Sequence, residues 1–228
     1  MNQRSQHVLS LTTLILILVA SNAATLMAQQ EAKVVEFVVA GANLRVPYPA
    51  GFAAKKNELK TFVKRMSAVS PNTIHEVFAA KEIDEATMLR TGLRRHADIQ
   101  TTKEIGAADQ NLFDELKKLF ETQFDQIIAQ AAKDIKDKTG LALKTQEKVG
   151  KGTFINKPDR YAYLFFSTVD AGNGKTVERA SALCLAFVKD RIILLNVHSD
   201  LESEKDATWV KTESEKWLEA VCKANQAR

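Results

Sequence analysis

Three consecutive stretches near the C-terminus are apolar at both parities: Leu164-Phe165-Phe166, Leu183 to Val188, and Ile192-Ile193-Leu194-Leu195. A strand wet on one face alternates apolar with polar residues. A strand that does not alternate is covered on both faces. The connections, Asp170 to Gly174 and Lys189-Asp190, are too short for a crossover, so the strands pair antiparallel. Such a sheet needs two covering layers. The pattern predicts an α+β fold, an α/β/α sandwich whose largely antiparallel sheet carries helices on both faces.

The covering helices are legible. From Asp109 to Lys138, Phe113, Leu116, Phe120, Phe124, Ile127, Ala131 and Ile135 recur at steps of three and four, which is one core-facing stripe. Asp109 suits the N-cap, and Gly140 suits the C-terminal stop. A second helix is predicted over Ser203 to Gln226, with Val210, Trp217 and Val221 on its stripe and Leu218 beside it. Glu204, Asp206, Glu213, Glu215 and Lys216 are expected on its solvated side. Four strands are predicted between them, over Lys144–Ile155, Arg160–Val169, Thr176–Val188 and Arg191–His198. Upstream, Val34–Val39 and Asn43–Pro47 read as a hairpin turning at Ala40-Gly41-Ala42. Leu59, Phe62, Val63 and Met66 mark a short helix. Thr73–Ala80 and Arg94–Thr102 read as strands, and residues 82–92 as a helical turn and loop.

The N-terminus reads differently. Arg4 precedes an uncharged apolar run of 13 residues, Val8 to Ala20. That is short of the roughly 20 residues that span a bilayer. Residues 1–28 are expected to be a secretory signal peptide, cleaved after Ala23 or Ala28, with a retained membrane anchor as the alternative. Residues 30–228 are expected to form a single domain, without a transmembrane segment, in the periplasm or outside the cell. The full chain has 228 residues and a net charge of +4, too mild to indicate nucleic acid.

Recognisable catalytic patterns are missing. After the leader there are three histidines, His75, His96 and His198, without HExxH or His-x-His spacing. His75 and His198 fall on predicted strands far apart in sequence, and a metal shared between them is the sharper of two readings; satisfied histidines are the other. Gly172-Asn173-Gly174-Lys175-Thr176 ends like a phosphate loop, but Val169 stands where that loop needs glycine and strands flank it, so it reads as a hairpin turn. No Gly-x-Ser-x-Gly elbow occurs. Neither a metal nor another cofactor is expected. Cys184 and Cys222 could form a disulfide if the last helix covers the strand carrying Cys184, or could be two buried thiols. Lys55, Lys56, Lys60, Lys64 and Arg65 are read onto the short helix, and Arg90, Arg94 and Arg95 cluster later. They suit either a solvated face or docking onto an acidic protein or anionic surface.

The order of elements, with the Val46-Pro47-Tyr48-Pro49-Ala50-Gly51-Phe52 exit from the first hairpin, the Lys189-Asp190-Arg191 turn, and Trp217 and Ala224-Asn225 in the last helix, resembles the PsbP-like α/β/α sandwich superfamily. That superfamily includes the PsbP subunit of photosystem II, a Ran-binding nuclear import factor and exported DcrB-like bacterial proteins. The resemblance implies architecture and assigns no site residue. The expectation is an exported, non-enzymatic binding or accessory protein. The alternative is a small periplasmic hydrolase or metal-dependent enzyme.

Overall fold

Ala40 and Gly41 turn the chain with positive φ (44° and 82°), as a two-residue hairpin requires. They join β1 (Val34–Val39) to β2 (Ala42–Pro47), a two-stranded sheet of its own. The structure, a computed structural model, describes residues 33–226 except 71, 104–105, 140–141 and 173–174. The signal segment expected at 1–28 lies outside the described residues. From Val34 onward the chain forms one compact unit.

The remaining elements are β3 (Ala53–Ala54), α1 (Lys60–Val69), β4 (Asn72–Ala79), α2 (Glu85–Thr91), β5 (Arg95–Thr102), α3 (Gln110–Thr139), β6 (Leu143–Gln146), β7 (Gly152–Lys157), β8 (Arg160–Gly172), β9 (Lys175–Val188), β10 (Arg191–Asp200) and α4 (Glu204–Asn225). The main sheet runs β3-β4-β5-β10-β9-β8-β6, and β7 also pairs with β8. Every pairing is antiparallel. The fold is α+β with helices on both faces, as the parity pattern requires.

Alternation along the strands divides the core. Ala180, Ala182, Cys184 and Ala186 of β9, with Ile193, Leu195 and Val197 of β10, pack under α4 and the β1–β2 hairpin. The small residues of β9 let α4 lie close to the sheet. Trp217 fills this layer and donates its indole N–H to the Pro47 carbonyl at 2.7 Å. Truncating so buried an aromatic costs about 3–5 kcal/mol. On the other face, Leu185, Ile192 and Leu194 meet Phe113 and its neighbours on α3. Phe113 stacks on Phe187, and Phe124 stacks on Tyr163 at 4.0 Å between ring centroids. Asp109 caps α3 by accepting from the Leu112 N–H at 2.8 Å. α1 and α2 cover a smaller cluster around Leu59, Ile74, Val77 and Met88.

Three expectations are corrected. The strand read over Lys144–Ile155 is two strands, because Gly150 and Gly152 take positive φ (91° and 134°) and break it. Residues 82–92 contain a true helix, α2, capped by Asp84. Asp206 and Glu213 are buried: Asp206 closes the capping box with Ser203, and Glu213 accepts from the Ala50 N–H at 2.9 Å.

Candidate functional site

β5 lies beside β10, and β10 beside β9, so parity places a row of polar side chains on one face of the central sheet. His96 stands opposite His198, Asp98 opposite Asn196, and His198 opposite Ser181. The imidazoles of His96 and His198 stack at 4.5 Å. One Asp98 oxygen accepts from Asn196 Nδ2 at 2.8 Å and Gln100 Nε2 at 2.7 Å. Its other oxygen faces His198 Nε2 at 3.6 Å. His198 Nδ1 lies 2.8 Å from Ser181 Oγ. Burial, then His198, then Arg179 hold His96 well below the ordinary histidine range, against a hydrogen bond to the Leu93 carbonyl.

Ser181, His198 and Asp98 therefore share the residue types of a hydrolytic triad. The rest of that chemistry is missing. Ser181 is 2 % exposed, and Asp98 is fully buried. Ser181 is paired on both sides, with Phe165 of β8 and His198 of β10. Its backbone N–H is committed to the ladder and cannot stabilise an oxyanion. Ser181, His96 and Asp98 are buried in the row, whereas His198 and Asn196 are half-buried.

The metal reading that joined His75 to His198 does not match the geometry. β5 separates β4, which carries His75, from β10. His75 is the bulged residue of β4, stacked on Phe37 at 3.9 Å and bonded to Thr101 Oγ1. Burial and nearby Lys56 lower it to about 4. Among the described residues, no group of three His, Cys, Asp or Glu is placed to hold a metal.

An open cleft of about 740 Å³ lies elsewhere, on the α4 side of the sheet. Leu164 and Phe166 of β8 form its floor. The β6–β7 loop, Glu147 to Gly150, forms one wall; Glu202 to Glu204, Ala207, Thr208 and Lys211 form the other. Val149, at the lip, is fully exposed. Most rim charges are neutralised: Lys148 pairs with Glu178 at 2.6 Å, Arg94 with Glu202 at 2.6 Å, and Lys151 with Asp125 and Glu147. Lys148 and then Gln146 hold the Glu178 carboxyl below its ordinary value, the opposite of what a general acid needs. Lys211 lies over the Phe154 ring at 5.8 Å. Motif reasoning missed this cleft, because its walls come from four separate segments.

The two cysteines are free thiols beneath the same helix. Cys184 lies by Ser214, and Cys222 lies by the Asp159 carbonyl at 3.9 Å. Eight residues of α4 separate Ser214 from Cys222, a rise of about 12 Å, so the sulfurs sit at different levels of the core. Burial pushes both thiols up to about 12.

The basic cluster also divides. Lys55 precedes α1 and is buried, bonded to the Lys81 carbonyl and the Glu58 carboxylate. Lys56 donates to the Ile74 carbonyl. Arg95 pairs with Asp206 and lies over Trp209 at 4.4 Å. Lys60, Lys64 and Arg65 remain as an exposed cationic strip on α1.

No family model matches the chain, and no curated protein sequence matches it. Among solved structures it is similar to the Saccharomyces cerevisiae Ran-binding protein Mog1p, at 11% identity over 85% of this chain and 95% of that one, with a TM-score of 0.36. It is also similar to a point mutant of protein Mog1, at 11% identity over 84% and 94% of the two chains, with a TM-score of 0.39. The PsbP-like assignment is corrected: these two structures are Mog1 proteins, and no family model supports a PsbP kinship. Likenesses this remote assign neither family nor activity to the chain.

Proposed function

We propose that this is an exported, non-enzymatic binding or accessory protein, whose ligand site is the cleft between the β6–β7 loop and the first turns of α4. The cleft carries this reading. Its volume of about 740 Å³ is that of a ligand site, and it joins an apolar floor to a polar rim. Neither histidine nor cysteine lines it. In the Ser-His-Asp row described above, the serine is buried and its N–H belongs to the strand ladder. The 13-residue apolar run behind Arg4 supports export.

Ala207→Trp, which fills the cleft from α4, tests the proposal. Wild type and variant are compared for partner capture from the native envelope and for hydrolysis of ester and phosphoester substrates. The proposal expects capture lost in a variant that keeps its circular dichroism, and no turnover by either protein. Turnover that disappears on Ser181→Ala, with capture unchanged by Ala207→Trp, contradicts it.

A further inference from the structure

His96 is set where the sheet meets α1. Phe62 of α1 meets its ring edge-on at 5.6 Å, at an interplanar angle of 86°. His198 stacks on the ring from β10. The side chain is 3 % exposed. One ring nitrogen bonds to the Leu93 carbonyl, which also receives Arg179 NH2 at 3.4 Å. The other, Nδ1, has no hydrogen-bond partner among the described residues. A proton arriving on His96 would bind at Nδ1. It would charge a buried ring with no acceptor for the new N–H, against a second imidazole and beside an arginine.

The charged and titratable groups around this ring come from three strands. β5 contributes Asp98, whose free oxygen faces His198. β10 contributes His198 and Asp200, and β9 contributes Arg179, whose charge Asp200 already takes at 2.8 Å. α1 presents Phe62, and the cross-strand neighbour on β4 is Ala79, both uncharged. The nearby carboxylates are thus directed at His198 and Arg179. A charge on His198 has Asp98 to receive it. A charge on His96 has no such partner.

The geometry points to a proton-operated latch: His96, stacked on His198 and edge-on to Phe62, holds α1 on the sheet at neutral pH, and protonation of His96 releases α1. Release uncovers the apolar cluster of Leu59, Ile74, Val77 and Met88. The inference is independent of the cleft. The unfolded-state histidine titrates near 6.5, and one linked proton changes the opening equilibrium about tenfold per pH unit below that value.

Amide hydrogen exchange, corrected for intrinsic rates, tests this at pH 7.5 and pH 5.5. Protection across residues 60–69 should fall about tenfold, and at pH 5.5 α1 should open at a lower free energy than α4. His96→Phe keeps an aromatic ring without the titration, and should hold α1 protection constant between the two pH values. The latch is refuted if wild-type α1 protection does not change, if α1 and α4 exchange at pH 5.5 with the same opening free energy, or if His96→Phe shows the same fall. Should His96→Phe not fold, imidazole NMR of the wild type decides. The latch requires His96 to stay neutral while α1 is docked, and a charged His96 with α1 signals unchanged overturns it.

Discussion

Replacing Asp206 with alanine tests how the wall of the cleft is held. Asp206 Oδ2 accepts from the Glu202 N–H at 3.1 Å, the Ser203 N–H at 3.0 Å and Ser203 Oγ at 3.2 Å. Its Oδ1 accepts from Arg95 NH2 at 2.9 Å. The side chain thereby fixes residues 202–204, which line the cleft, and starts α4. Loss of the capping box costs about 1 kcal/mol. Loss of the Arg95 pair adds about 1 kcal/mol; Arg95 is 39 % exposed, so water recovers part of its interaction. The sum is about 2 kcal/mol. With an m-value of about 2 kcal/mol per molar urea, the midpoint should fall by about 1 M. Asp206→Asn keeps one acceptor oxygen and should lose about half as much. Burial alone would raise this carboxyl, but Arg95, Glu202 and Ser203 outweigh it and hold it below 3.8. A depressed carboxyl contributes fully above its unfolded value, and the contribution is lost as pH falls below about 4. Asp206→Ala should therefore lack that part of the acid slope. A midpoint within 0.2 M of wild type, or an unchanged slope, refutes the reasoning.

Other outcomes follow from single sites. His75 is lowered to about 4 by burial and Lys56, so its stabilisation is complete above about 6.5 and is lost as pH falls toward 4; His75→Phe should flatten that part of a stability–pH curve. Without reductant, a thiol assay should find two reactive cysteines in denaturant and fewer than one in the native state; none in denaturant would mean a disulfide. Asp190 takes a φ of 55°, so Asp190→Gly should raise stability by about 1 kcal/mol in urea melts. Mature protein should begin near Ala24 or Gln29 by N-terminal sequencing, and an intact Met1 in a membrane pellet would refute export.

What could be read from residues alone depended on range. β8, β9 and β10 were legible because parity is local, and α3 because a stripe of seven apolar positions has one period. The break between β6 and β7 had a local signal, Gly150 and Gly152, which a single strand over Lys144–Ile155 passed over. The position of β5 beside β10 has no local signal, so the meeting of His96 with His198 could not be read, although each strand was expected. Asp206 and Glu213 read as solvated because their residue types usually are. Their partners, Arg95 and the Ala50 N–H, lie 111 and 163 residues away. The cleft was invisible for the same reason: it is a property of how segments meet.

A photo-crosslinking residue at Val149 tests the central claim most directly, in the cell that makes the protein. Val149 is fully exposed at the lip of the cleft, and Leu119 on α3, 37 % exposed, is the control on the other side of the sheet. The account predicts a discrete adduct from position 149, reduced by Ala207→Trp, and none from position 119. Adducts from 119 with none from 149 would place the binding surface on α3 and contradict it.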